Sequence, residues 1–168
     1  MACTLLKRLA RHLFILPHVA MRYFPIDSMR RIEAAIAQNE TKHSGEIRFA
    51  VETNLHVLDV LRKKSARQRA IEVFSHLRVW DTEQNNGVLI YLLLADHDFE
   101  ILADRGIHAH MGEEGWEQVS KTMEALFRQG KFEEGVLYGI EHIGHKLVQC
   151  YPANGKNKNE LPDAPIII

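Results

Sequence analysis

The chain is poor in cysteine: Cys3 and Cys150 lie near opposite ends and form no C-x-x-C pair. This excludes a disulfide scaffold and a cysteine zinc site, and it fits a reducing compartment. Excess charge is also missing. The 21 Lys and Arg against 22 Asp and Glu leave a formal net charge of −1, so nothing in the total favours nucleic acid as a partner. No apolar run approaches the roughly 20 residues of a membrane span. Phosphate-cradling and nucleophile motifs are absent too: there is no GxGxxG, no GxxxxGK[ST] and no GxSxG. What remains is ordinary. With 168 residues, 46% hydrophobic and 26% charged, the sequence describes one globular domain rather than a disordered chain.

The balanced total conceals an uneven distribution. Residues 1–31 carry Lys7, Arg8, Arg11, Arg22, Arg30 and Arg31 against Asp27 alone. Between Val79 and Glu117, nine carboxylates face one cation, Arg105. A basic start suits an acidic partner or anionic lipid, an acidic middle suits a cation, and a solvated surface is the plain alternative for both. Leu5, Leu6, Leu9, Leu13 and Leu16 recur at helical spacing among the basic residues, which predicts a short amphipathic helix lying on a membrane or packed on the domain. Lys7, Arg8, Arg11 and Arg22 are its candidate contacts with a partner or membrane. Residues 1–24 are read as a basic segment without which the remainder folds, residues 25–151 as the domain, and residues 152–168 as a polar tail with an edge strand at Pro165-Ile-Ile-Ile.

Inside the domain the periodicities alternate. Asp27 or Ser28 can cap a helix carrying Met29, Ile32 and Ile36. Glu46–Glu52 alternates as a strand, with Ile47, Phe49 and Val51 on its apolar face. Ser65 and Gln68 form a capping-box pattern before Ala66, Ala70, Val73, Phe74 and Leu77. Gly87–Leu94 is apolar without alternation, as a strand covered on both faces would be. After Asp96-His97-Asp98, Phe99–Ala103 reads as an antiparallel return strand. Gly112 opens a helix, Gly130 stops it, and a last helix buries Phe132, Val136, Ile140, Ile143 and Leu147. Strand, helix, strand and hairpin give an α/β fold: a three-layer α/β/α sandwich on a mixed sheet with one parallel pair and an antiparallel hairpin strand.

Parallel strands begin at the same sheet edge, and a hairpin's return strand ends there. Glu46, Asp81, Asn85, Asn86 and Asp104 are therefore expected to converge at one edge, an oxygen-rich set of the kind that calcium or magnesium selects. The alternative is a turn shaped by Asn85-Asn86-Gly87 beside an ion pair of Asp104. His108 and His110, read as an extended segment, and His142 and His145 each supply two imidazoles, too few for zinc without a third ligand. No residue declares itself a nucleophile.

The stretch Ser44–Leu147 resembles the TPM domain family. The resemblance is carried by S-G-E-I-R-F-A-V-E, V-W-D-T-E-Q-N-N-G-V-L-I-Y-L-L-L, D-F-E-I-L-A-D-R-G-I and G-K-F-E-E-G-V-L-Y-G-I. It implies a Rossmann-like α/β/α fold, calcium binding as in some members, and the acid phosphatase activity claimed for the thylakoid member. It carries Asn85, Asn86 and Asp104 over as members of an acidic edge cluster. Ala103 stands where the family usually has the first residue of a Gly-x-Gly motif, and the signal peptide and C-terminal membrane helix of many members are not seen. Two readings follow. One is a non-catalytic binding or accessory module, calcium-stabilised and acting near a membrane protein or anionic membrane surface. The other is a metal-assisted phosphatase acting on phosphomonoesters. The expected location is the cytoplasm or the inner-membrane periphery.

Overall fold

The computed structural model describes residues 2–16, 18–155 and 158–168, with the side chains of Ala2 and Cys3 outside that description. A first helix, α1 (Ala2–Phe14), is followed by α2 (Val19–Tyr23), α3 (Ile26–Glu40) and strand β1 (Ile47–Glu52). Next come α4 (Val57–Leu61), α5 (Ala66–His76) and β2 (Val88–Leu93); a 3-10 turn at Leu94–Asp96 then leads into β3 (Asp98–Ala103). Helices α6 (Arg105–Arg128) and α7 (Phe132–Cys150) and the short β4 (Ile166–Ile167) complete the chain. The sheet order is β3-β2-β1-β4. β1 is parallel to β2 and β2 is antiparallel to β3, as the sequence pattern predicts, and the C-terminal edge strand β4 also runs parallel to β1.

Both central strands are buried along their whole length. Ile47, Phe49, Val51, Val88, Ile90 and Leu92 face a core shared with α3, α6 and α7. Ala50, Leu89, Tyr91 and Leu93 face a second core with α4 and α5. Period-2 alternation therefore feeds two layers of helices, which is the three-layer sandwich. The polar side of β1 is not a solvent face. Glu52 accepts hydrogen bonds from the Tyr91 hydroxyl at 2.6 Å and from Arg69 Nε at 2.9 Å, so this acid opposite the apolar face is a buried, satisfied partner.

Local signals set several boundaries. Ser65 and Gln68 form the reciprocal capping box that starts α5. At the start of α3 the expected Asp27 or Ser28 cap is replaced by Pro25, whose fixed φ suits the residue before a first turn. His108 and His110 are helical rather than extended, because Asp104 caps α6 through Arg105 N. Gly112, at φ 70° and ψ 165°, breaks that helix at the residue expected to open it.

The N-terminal segment is built into the domain. Ala20 and Phe24 lie in the first core, and the Phe24 ring packs at 5.2 Å from Phe49 and 6.3 Å from Phe132. On α1, Leu5 and Leu9 turn inward while Leu6 and Leu13 turn out, so the leucines do not share one face. Buried His12 accepts the Leu55 N–H on Nδ1 at 2.9 Å and meets Asp96 Oδ1 through Nε2 at 3.1 Å. Arg8 grips the same carboxylate at 2.7 Å and the Lys64 carbonyl at 2.6 Å. Burial works against ionisation of Asp96, yet the bonds from Arg8 and His12 outweigh it and hold the carboxyl below its ordinary range. The described residues of this segment thus pack into both cores of the domain. Phe24→Ala should lower unfolding free energy by about 3–5 kcal/mol in a denaturant titration. A chain lacking residues 1–24 should show no cooperative thermal transition.

Candidate functional site

The start of β1, the start of β2 and the end of β3 meet at one edge, as their directions require. Asp104 pairs its N–H with the Gly87 carbonyl at 2.9 Å, which sets it beside the residue following Asn86. Asn86 is fully buried; its N–H bonds Thr82 Oγ1 at 3.1 Å and its Nδ2 donates to the Ser44 carbonyl at 3.0 Å. Asp104 is 8% exposed and its Oδ1 accepts the Arg105 N–H at 2.7 Å. Each of these side chains keeps one buried oxygen without a donor: Asn86 Oδ1 and Asp104 Oδ2. Buried acceptors are seldom left so, because each forfeits its hydration.

A third group of oxygens surrounds Gly106. A Cβ placed there would lie 2.6 Å from the Asn85 carbonyl oxygen, 2.6 Å from Tyr151 Oη and 2.9 Å from the Gln84 carbonyl oxygen. The glycine is required because three oxygens occupy the space a side chain would take. Asn85 supports this with a left-handed backbone, φ 53°, which turns its carbonyl to accept the Gly106 N–H at 2.9 Å. The Tyr151 ring meets His110 edge-on at 5.5 Å. Burial pushes the Tyr151 phenol up, with Cys150 and Asp104 adding negative charge nearby.

Of the five residues expected at the edge, three are brought together: Asn85, Asn86 and Asp104. Asp81 is exposed on the turn before β2. Glu46 is buried but committed elsewhere. Its two carboxylate oxygens accept the Glu160 N–H at 3.0 Å and the Leu161 N–H at 3.1 Å, clamping the C-terminal tail against β1. Desolvation pushes the Glu46 carboxyl up, against those two bonds and with help from Glu160 and Asp163. Among the described residues no group of three or more His, Cys, Asp or Glu is placed to hold a metal. A cation here would rest on one carboxylate, one amide oxygen and neutral oxygens, a donor set within calcium's range. Tyr151 and Gly106 were missed because Tyr151 sits at the far end of α7, and only the D-R-G triplet hinted at Gly106.

Beside this corner lies a cleft of about 340 Å³ lined by Glu40, His43, Glu46 and Asp163 among others. Glu40 Oε1 accepts the Ile47 N–H at 2.9 Å. Burial pushes the Glu40 carboxyl up to about 9, opposed by that bond and reinforced by Glu46 and Asp163. Burial pushes His43 down to about 4. Arg48 lies buried nearby, attracted to Glu40, Asp163 and Glu46.

These two groups pull stability in opposite directions along the pH scale. Between the ordinary Glu value of 4.5 and about 9 the native state holds a proton on Glu40 that the unfolded chain releases, so stability falls as pH rises. Between 6.5 and about 4 the unfolded chain protonates His43 while the native state does not, so stability falls as pH drops. Glu40→Gln keeps the acceptor for Ile47 and removes the titration. It should melt higher than wild type at about pH 8 and level with it at about pH 5 in calorimetry.

The family model described as TPM domain matches residues 24–146. No curated protein matches the chain. Among solved structures, the NMR structure of BA42 protein from the psychrophilic bacterium Bizionia argentinensis is 30% identical, with a TM-score of 0.75 over 84% of this chain and 93% of that one.

Proposed function

The chain belongs to the TPM domain family, and on that premise we propose that it is a non-catalytic binding module whose Asn85–Asn86/Asp104 corner takes one calcium ion. The observation carrying this is the pair of buried oxygens without donors, Asn86 Oδ1 and Asp104 Oδ2, on neighbouring strand ends. These two would hold the ion, with the neutral oxygens around Gly106 as the further donors of the corner. The ion would supply positive charge that offsets their lost hydration, tying β2 to the start of α6. Magnesium suits the corner less, since it retains waters and demands near-ideal octahedral geometry.

Hydrolysis of a phosphomonoester asks for more than a cation: it needs a positioned base to activate water. Asp104 Oδ1 is already engaged as the cap of α6, the Tyr151 phenol is pushed up and so holds its proton at neutral pH, and His110 packs its ring against Tyr151. That supports binding over catalysis. A phosphomonoesterase assay with and without chelator should show no turnover above buffer.

Calcium at a hundredfold excess over its Kd should stabilise the chelator-treated protein by about 2.7 kcal/mol. For a domain of this size that corresponds to a rise in melting temperature of roughly 5–10 °C. Asp104→Asn should remove most of the rise while the domain still folds, because Asn also caps helices well. An unmoved wild-type melting curve in millimolar calcium would leave the corner as a turn and a cap.

A second surface suits the membrane-peripheral half of this reading. On α1, Leu6, Leu13 and Phe14 fall on one stripe at helical spacing, and all three are exposed, Phe14 to 81%. Exposed Lys7 borders the stripe, as does Arg11, which also reaches Asp96 Oδ1 at 3.4 Å, with Leu16 and Arg22 just beyond. Arg8, grouped with these by sequence, is instead taken up by Asp96 and Lys64. An exposed apolar stripe bordered by basic side chains fits the interface of an anionic bilayer. The doubly substituted Leu13→Ser, Phe14→Ser chain should fold normally yet lose sedimentation with phosphatidylserine-containing vesicles. Among the described residues no helix is long and apolar enough to cross a membrane.

A further inference from the structure

One edge of the sheet is open. β3 is terminal in the order β3-β2-β1-β4, so no strand among the described residues pairs with its outer side. The Asp104-to-Gly87 bond fixes which groups face out. Hydrogen-bonded pairs alternate along an antiparallel ladder, so Leu102 and Glu100 turn their N–H groups toward β2, and Ala103, Ile101 and Phe99 turn theirs away. The Phe99 N–H is satisfied by the Asp98 carboxylate at 3.0 Å. Those of Ile101 and Ala103 point to the open side with no such side-chain acceptor.

This edge is the floor of a groove of about 700 Å³ that follows every residue of β3. One wall is the face of α6 carrying Glu113, Trp116, Glu117 and Glu124; Arg67 stands on the other side. The Trp116 indole nitrogen is buried without an acceptor. The lining holds five carboxylates, Asp98, Glu100, Glu113, Glu117 and Glu124, against Arg67 and Lys121. Arg67 pairs with Glu100, Lys121 with Glu117 and, from just outside the lining, Arg128 with Glu124, which among the described residues leaves Asp98 and Glu113 without a cation and the groove negative.

Natural proteins blunt an open edge with lysine, proline or a bulge. D-F-E-I-L-A holds no lysine, no proline and no bulge, and its two charged residues, Asp98 and Glu100, are both acidic. The lining is acidic, so a second copy pairing through the same edge would set carboxylates against carboxylates. An incoming strand rich in Lys or Arg meets the opposite situation. We propose that the β3 edge is a docking site for an extended, basic segment of a partner protein, which adds to the sheet as a fifth strand and lays its basic side chains along α6. Main-chain bonds to Ile101 and Ala103 supply the pairing, and the acidic wall selects the charge. The site is separate from the calcium corner and stands whether or not that corner takes an ion.

The test uses the whole chain and a fluorescein-labelled ten-residue peptide of alternating Lys and Val, with an alternating Glu and Val peptide as control. The Lys–Val peptide should bind in anisotropy titrations and the Glu–Val peptide should not. Amide exchange of Ile101 and Ala103 should slow at least tenfold at saturation with the Lys–Val peptide. Ile101→Pro, which removes one outward donor, should weaken binding at least tenfold. Because that substitution sits in a strand, Glu113→Lys with Glu117→Lys, at exposed helix positions, provides a variant that folds readily and should also lose the peptide. Binding without protection of the two amides would identify a polycation resting on an acidic surface and overturn the proposal. So would equal binding of both peptides, or no binding of either.

Discussion

The parallel pairing of β1 with β2, closed over on both faces, is the constraint from which the rest of the structure follows. Every residue of the two strands is buried, so neither strand has a solvent face on which a polar side chain can rest. Each polar group at or next to their ends must therefore find a protein partner. Glu52 is met by Tyr91 and Arg69, Glu46 by the backbone of the tail, and Asn86 by the Ser44 carbonyl. These bonds fasten α5, the tail and the loop before β1 to the sheet. Asn86 Oδ1 and Asp104 Oδ2 lack such a partner, as do Arg48 Nε and Nη1 on β1 and Glu40 Oε2; the first two are acceptors on neighbouring strand ends, which makes their corner a candidate cation site.

The same constraint distinguishes the two acids that sequence spacing grouped together. Both Glu46 and Asp104 sit at the strand-start edge, and both are buried. Glu46 receives two backbone N–H groups and is fully occupied as a clamp. Asp104 receives one and keeps an oxygen in reserve. A carboxylate with both oxygens engaged has little left to offer a cation, whereas one acting as a helix cap can still present its second oxygen. Counting carboxylates at an edge therefore overstates a cation site unless the backbone donors that reach them are counted as well.

Much of this architecture was legible in the sequence because it rests on local periodicity. The unbroken run Gly87–Leu94 identifies a strand covered on both faces, the Ser65–Gln68 pair marks the start of α5, and Pro165-Ile-Ile-Ile gives the edge strand beside β1. What could not be read depended on partners distant in the chain. His12 looks like one more residue of a basic helix, yet it bonds Leu55 and Asp96. Arg8 looks like a surface cation until Asp96, 88 positions away, takes it. Tyr151 joins the corner only because α7 returns across the domain. The helix beginning at Arg105 was hidden for a local reason: Gly112 stands inside it with a positive φ, so the pattern seems to begin seven residues late.

The division of charge along the sequence becomes a division of space. Because β1 and β2 are parallel, their C-terminal ends share one edge, where α1 is tied to Asp96 and shows Lys7 and Arg11 to solvent. Their N-terminal ends share the opposite edge, which holds the oxygen-rich corner. The acidic middle of the chain supplies part of that corner, and β3 and α6 carry the rest of it down the open side of the sheet. Opposite charges held this far apart do not neutralise one another, since exposed charges separated by more than about 8 Å are largely screened in physiological salt. A net charge near zero therefore understates what the surface can attract. It combines a cationic, apolar end with an acidic flank, and each retains its own field for a partner of opposite sign.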